Sequence, residues 1–132
     1  MKVALHVFVI AALLAGCGMG AQVDSGRETA GRFLELMAQG KHQQAHELCA
    51  VGTVSLEELQ DWAADPGNAS LLANYKGVDW ASGGELKTDN SPSTMRLPAS
   101  TLTGRPDVSV NFTFRWDDNA WRITGFAIKS GK

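Results

Sequence analysis

Three residues with metal-binding side chains lie close together in the first half of the chain. His42, His46 and Cys49 are spaced i, i+4 and i+7, which brings their side chains near one face of a helix. Two imidazoles and a thiolate could bind zinc, but structural zinc sites usually need a fourth ligand. The sequence offers no Cys-x-x-Cys pair, and His6 lies in the N-terminal apolar run. We therefore predict no metal and no other cofactor, with surface histidines and a buried Cys49.

The aromatic side chains indicate a different possibility, which is a binding site for an apolar ligand or partner. The chain has four Trp and one Tyr, and aromatic side chains commonly line ligand pockets or anchor protein partners. Trp62, Tyr75 and Trp80 are the candidates for such a pocket, with core packing as the alternative for the two tryptophans. Trp116 and Trp121 are assigned to the core, because Trp116 shares a strand face with other apolar residues.

The N-terminus has the pattern of an export signal. Lys2 is followed by a mainly apolar run from Val3 to Ala15 and then by Gly16-Cys17-Gly18. A basic start, an apolar stretch of 7–15 residues and small residues at its end are typical of a secretory signal. A membrane-spanning helix would need roughly 20 apolar residues. The sequence therefore predicts a signal peptide over residues 1–16.

The end of this segment, Leu14-Ala15-Gly16-Cys17, resembles the lipobox of bacterial lipoproteins. The resemblance implies cleavage between Gly16 and Cys17, with palmitate-type acyl chains on the Cys17 thiol and on the new amino group. Two or more acyl chains make membrane anchoring stable, whereas one holds only marginally. By analogy with lipoprotein sorting in diderm bacteria, Gly18 implies the outer membrane, facing the periplasm. The alternatives are an ordinary cleaved signal with an incidental Cys and a buried N-terminal helix.

Charge and size limit the partners that we expect. The chain has 12 basic and 14 acidic residues and no basic cluster of the kind that phosphate-binding proteins use. We therefore expect no nucleic-acid partner. Removal of residues 1–16 would leave 116 of the 132 residues, which is enough for one domain. If Cys17 carries lipid, Cys49 has no cysteine left to pair with.

Helical patterns occupy the first part of the mature chain. Residues 17–25 are interpreted as a lipidated tether, and Ser25-Gly26-Arg27-Glu28 has the form of a capping box that would start the first helix. Gly40 is well placed to end that helix. A second helix is predicted over 41–49, and a third helix from the capping box at 55–58. The apolar stripe of the first helix has helical spacing and consists of Ala30, Phe33, Leu34, Met37 and Ala38.

Beyond residue 77 the period of apolar residues changes from 3.6 to 2, which predicts strands. The clearest strand covers 108–116, and a turn at 117–119 leads into a hairpin partner over 121–129. An earlier strand over 95–102 is predicted to place Met95, Leu97, Ala99 and Thr101 on one face, with Pro98 marking an edge or a bulge. Helices followed by strands predict an α+β fold, with the N-terminal helices packed on an antiparallel sheet.

The order of these elements resembles the NTF2-like (cystatin-like) superfamily. The run Phe33 to Lys41 followed by Ala45 and Leu48 is similar to the helical opening of such domains, and Trp121 to Phe126 is similar to their closing strand. The resemblance covers roughly residues 26–130 and implies a strongly curved sheet. It implies a fold and not a reaction, because this fold carries both enzymes and non-catalytic modules.

Our leading hypothesis for this domain is a non-catalytic binding or interaction module, with an envelope protein or a small apolar ligand as its partner. Enzymes of the superfamily such as ketosteroid isomerase use a carboxylate base beside an oxyanion hole with Tyr and a protonated Asp. This chain has Tyr75, but its nearest strand carboxylate, Asp79, alternates with Val78 and Trp80. We therefore assign no catalytic residue and do not expect an enzyme. An isomerase- or dehydratase-type enzyme and a purely structural lipoprotein are the alternatives, and homodimerisation through the sheet stays open.

Overall fold

The first helix is much longer than the sequence predicts. A computed structural model of the chain describes residues 2–89 and 91–131, with side chains from residue 20 onward. Helix α1 spans Lys2–Ala38, so the predicted helix start at Ser25 is wrong. The helix continues through Ser25 because Val23 is buried and the Gln22 side chain accepts a hydrogen bond from the Trp121 indole at 2.7 Å.

The lipobox prediction concerns residues whose side chains lie outside the described part of the structure. Cleavage after Gly16, lipid on Cys17 and the boundaries 1–16 and 17–25 therefore stay predictions. Among the residues whose side chains are described, no helix is both long and apolar enough to cross a membrane.

Three shorter helices follow, α2 (His42–His46), α3 (Leu56–Ala64) and α4 (Pro66–Leu71). The capping box predicted for α3 is confirmed. The Ser55 hydroxyl accepts a hydrogen bond from the Glu58 backbone N–H at 3.1 Å, and the Glu58 carboxylate accepts one from the Ser55 N–H at 2.8 Å. These two bonds satisfy backbone donors that have no partner within the helix. Gly40, at φ 77°, ends α1 as predicted.

The described residues contain five strands in one antiparallel sheet, which together with the helices confirms the α+β class. The strands are β1 (Val78–Asp79), β2 (Glu85–Lys87), β3 (Thr94–Leu102), β4 (Arg105–Asp117) and β5 (Ala120–Ser130). Their order is β1-β3-β4-β5, and β2 also pairs with β3. Asp118 and Asn119 have φ of 55° and 60°, the backbone conformation favoured in two-residue hairpins, and they make the predicted turn from β4 to β5.

A bulge in β3 changes which residues face the helices. The pairing with β4 shifts register between Leu97 and Ser100, which confirms the bulge expected from the proline in this run. Ser100 and Leu102 are therefore buried, and the predicted inward positions of Ala99 and Thr101 are wrong. Bulges bend a strand and increase its twist, so this one contributes to the curvature of the sheet.

A second bulge lies in β5, opposite the middle of β4. Phe114 pairs with Ile123 and Thr113 pairs with Gly125, so Thr124 is the extra residue. This insertion reverses the alternation, and Ile123 before it and Phe126 after it both pack toward the core. One bulge in each flanking strand lets the sheet curve around α1.

The chain after α2 pairs with β5 instead of continuing as a helix. The Ala50 N–H donates to the Ile123 carbonyl at 2.8 Å, and the Ile123 N–H donates to the Leu48 carbonyl at 2.9 Å. An edge strand presents unpaired backbone groups, and these two bonds satisfy part of that edge. The predicted helix over 41–49 is therefore wrong at its C-terminal end.

The core lies between α1 and the sheet, with Phe33 at its centre. The Phe33 ring packs against Phe112, with ring centroids 5.9 Å apart, and against Phe126, at 5.1 Å. Trp121 is buried as predicted. The core assignment of Trp116 is wrong, because this residue lies one position before the end of β4, where its ring packs on Trp121 and stays 37% exposed.

Candidate binding groove

The three residues predicted to line a pocket come together in one groove. Trp62, Tyr75 and Trp80 border an open groove of about 1080 Å³, which is large enough for a small-molecule ligand. One wall is α1, and the opposite wall is built by α3, α4 and the segment from 72 to 80. Residues that are far apart in sequence therefore share one surface.

Trp62 and Trp80 pack against core residues and also border the groove. Trp62 packs edge-on against Phe126 with ring centroids 5.9 Å apart, and Trp80 packs against Phe112 at 6.5 Å. Both Phe rings contact Phe33, so the two tryptophans stand at opposite ends of one aromatic row. Each tryptophan is only partly buried. Each ring therefore contacts the core and also borders the groove, and a ligand-binding role for the two tryptophans stays a prediction.

Tyr75 adds a polar group to the aromatic lining. Its hydroxyl donates to the Gly31 carbonyl of α1 at 3.4 Å, which is at the long end of the range for a hydrogen bond. Burial raises the pKa of Tyr75 above its usual 10.0, and the nearby Glu35 carboxylate raises this pKa further. The phenol is therefore uncharged at neutral pH, and its oxygen can still accept a hydrogen bond from a ligand.

The α1 wall of the groove carries charge on the helix face opposite the core stripe. Four residues at helical spacing form this wall, which we call the groove face of α1: Glu28, Gly31, Arg32 and Glu35. Arg32 and Lys76 border the groove and make no ion pair among the described residues. This face was not predicted from the sequence, although its i, i+3, i+4, i+7 spacing is the complement of the apolar stripe.

Arg27, at one end of the groove, has a structural role instead. Its guanidinium pairs with Asp24 at 3.0 Å and donates to the carbonyls of Ala81 and Gly83 at 3.1 and 3.3 Å. These bonds fix the segment after β1 against α1. These bonds could not be predicted from the sequence, because two of the three acceptors are backbone carbonyls from a distant loop.

The histidines and Cys49 do not form a metal-binding group. The part of the chain that the structure describes has no cluster of three or more His, Cys, Asp or Glu arranged for a metal ion. His42 borders the groove, while Cys49 is buried as predicted, with its thiol 3.8 Å from the Ala45 carbonyl. Burial raises the pKa of Cys49 to about 11, so its thiol is protonated and unreactive at neutral pH.

None of the described Asp and Glu residues is buried. Ketosteroid isomerase, an enzyme of this superfamily, holds a carboxylic acid in an apolar site. Among the described residues, the buried polar set consists of Ser100, whose hydroxyl accepts a hydrogen bond from the Ala81 N–H at 2.9 Å. Asp79 is exposed and accepts a hydrogen bond from Thr103 at 3.0 Å. The groove thus offers aromatic walls and charged side chains.

Comparison with known proteins bears on the fold. No protein-family model and no curated protein matches the chain. Among solved structures, the chain is similar to an NTF2-like protein with a cystatin-like fold from Novosphingobium aromaticivorans, with 16% sequence identity and a TM-score of 0.54 over 92% of this chain and 87% of that one. The fold is therefore the NTF2-like, cystatin-like α+β fold that the sequence resemblance implied.

Proposed function

We propose that this protein is a lipoprotein of the bacterial cell envelope, anchored by acyl chains on Cys17. The observation that supports anchoring is the order of a basic start, a short apolar run and Leu14-Ala15-Gly16-Cys17. Several acyl chains on one residue hold a protein stably at a bilayer. We place it at the outer membrane, facing the periplasm, because Gly18 follows the lipidated residue.

We further propose that the domain is a non-catalytic module that binds a small, largely apolar ligand in the groove. The groove supports this role because the partly buried rings of Trp62, Tyr75 and Trp80 border it, and such rings recognise apolar and planar groups at low entropic cost. Arg32 and Lys76 lie at its border and make no ion pair with any side chain that the structure describes, so a ligand that also carries a negative charge would gain from them. The ligand class is thus an apolar or aromatic molecule with an anionic group.

One experiment tests both parts of the proposal. The protein is extracted from membranes of the producing bacterium and its mass is measured in native and denaturing conditions. We expect a denatured mass that begins at residue 17 and carries acyl chains, and a native mass that includes a further non-covalent adduct. A Cys17→Ser variant should lose the acyl mass and its association with the membrane.

A matched pair of variants assigns the adduct to the groove. Ala73 and Ala64 are both exposed, but only Ala73 borders the groove. Ala73→Trp should obstruct the groove and remove the adduct, whereas Ala64→Trp should keep it. An unacylated native protein would refute the anchoring, and an adduct retained in Ala73→Trp would refute the binding site.

A further inference from the structure

The predicted lipid attachment site lies very close to one end of the sheet. Gln22 accepts a hydrogen bond from the Trp121 indole at 2.7 Å, and Val23 is buried against the same domain. These contacts fix α1 to the end of the sheet where the β4–β5 hairpin turns. Cys17 precedes Gln22 by five residues, a span of about 7.5 Å in a helix and at most about 18 Å in a fully extended chain. Lipid on Cys17 would therefore hold this end beside the bilayer.

The same end presents an exposed indole ring. Trp116 is 37% exposed, and among the described residues the other exposed large apolar side chain is Val51. The Trp116 ring packs edge-on against Trp121 at 5.2 Å, so it is held in a fixed position next to the residue that binds Gln22. Tryptophan is enriched at membrane–water interfaces, where its ring is apolar and its N–H remains hydrated.

The charges around the hairpin turn are balanced, so an anionic bilayer would not repel it strongly. Asp117 pairs with Arg115 at 3.4 Å, and Asp118 lies 3.8 Å from Arg122. Each carboxylate near the turn thus has a guanidinium beside it. Arginine side chains can also extend their charged groups toward lipid headgroups while their stems cover apolar surface.

We infer that the hairpin end of the domain, formed by Trp116 and the β4–β5 turn, rests on the bilayer surface as a second membrane contact. This inference rests on the proposed acylation of Cys17. It gives the domain a defined orientation, because lipid and indole hold it at two points. The groove stays farther from the bilayer, since Arg32 lies fifteen residues after Cys17, about 22 Å along a helix.

The test uses the full acylated protein in vesicles of phosphatidylethanolamine and phosphatidylglycerol whose acyl chains carry bromine close to the headgroups. Bromine quenches tryptophan fluorescence only at short range. We expect quenching of the wild-type protein, and loss of more than half of it in Trp116→Phe. Trp62→Phe is the matched control, because Trp62 borders the groove, and its variant should keep the quenching.

The outcomes separate this inference from the proposed function. Acylated protein that floats with the vesicles but is not quenched, or is quenched equally in Trp116→Phe, would overturn the second contact and leave the lipid anchor intact. If Trp116→Phe fails to fold, the absence of quenching in the floating wild-type protein is still enough to overturn the second contact. Protein that is unacylated and does not float would overturn both.

Discussion

The two faces of α1 are built from neighbouring residues but differ in what they contact. Phe33 and Met37 are buried against the sheet, while Arg32 and Glu35 on the groove face are exposed and border the groove. Phe33 and Arg32 are adjacent in the chain, but Phe33 is buried and Arg32 is exposed. One helix therefore supplies the centre of the core and one wall of the candidate site. The difference implies that stability and binding can be changed separately by substitutions within one helix.

The largest effect should come from removing the ring at the centre of the core. Phe33→Ala deletes the contacts with Phe112 and Phe126, and such a substitution lowers the free energy of unfolding by about 3–5 kcal/mol. Arg32→Ala, on the neighbouring residue, should change it by less than about 0.5 kcal/mol. Denaturant unfolding of both variants checks this. Similar losses in the two proteins would show that the faces are not energetically distinct.

A smaller difference in stability is expected between Gly26→Ala and Gly31→Ala, two variants with the same substitution in α1. A Cβ at Gly26 would collide with the end of the Met95 side chain, which is itself buried, whereas a Cβ at Gly31 has nothing within 4 Å. Both changes to Ala gain the same helix propensity, about 1 kcal/mol. The Gly26→Ala protein should therefore be less stable than Gly31→Ala by the cost of displacing the flexible end of Met95 from its rotamer, about 0.5–1.5 kcal/mol.

Thermal unfolding of the glycine variants measures this difference, and Met95→Val provides the test of its cause. Shortening Met95 makes room for the new methyl group, so the penalty of Gly26→Ala should shrink in the double variant. Gly31→Ala should not respond to Met95→Val. A constant penalty at residue 26 in both backgrounds would mean that the close contact with the sheet is not its source.

The parts of the fold that the sequence predicted are those in which local patterns and tertiary contacts agree. The capping box of α3 forms because its two hydrogen bonds both join Ser55 to Glu58 and involve no distant residue. The turn at Asp118 and Asn119 likewise depends on local backbone conformation. The groove residues Trp62, Tyr75 and Trp80 were grouped from residue type alone, and the fold brings them together.

The errors arose where a distant partner decided between local alternatives. Ser25 and Glu28 could cap the start of a helix. However, α1 already includes the residues before Ser25, because the Gln22 side chain accepts a hydrogen bond from Trp121, almost a hundred residues away in the chain. In β3 after Pro98 each face has one apolar and one hydroxyl residue, so the pattern does not decide between them, and pairing with Val110 places Ser100 inward. Residues 48–50 leave the helix because Ile123 at the edge of β5 accepts a hydrogen bond from the Ala50 N–H and donates one to the Leu48 carbonyl. None of these partners can be read from the neighbouring sequence.

The smallest effect concerns the groove face of α1 and is a change in the pKa of Tyr75. This pKa can be measured without a large change in the stability of the protein. Tyr75 is the chain's one tyrosine, so the ultraviolet absorbance of phenolate reports its ionisation alone. Its pKa is raised above 10.0 by burial first and by Glu35 second. Glu35→Gln should therefore lower the pKa of Tyr75 without restoring the ordinary value, because burial remains.

The raised pKa of Tyr75 also determines how the stability of the protein changes with pH. A folded-state pKa above the unfolded value of 10.0 means that Tyr75 contributes stability below that pH and loses the contribution as pH rises through the folded pKa. In Glu35→Gln this loss should be smaller. Glu28→Gln is the control, because Glu28 borders the groove but does not contribute to the Tyr75 shift. Equal effects of the two substitutions on the phenol would contradict the placement of Glu35 next to Tyr75, and with it the wall that α1 gives to the groove.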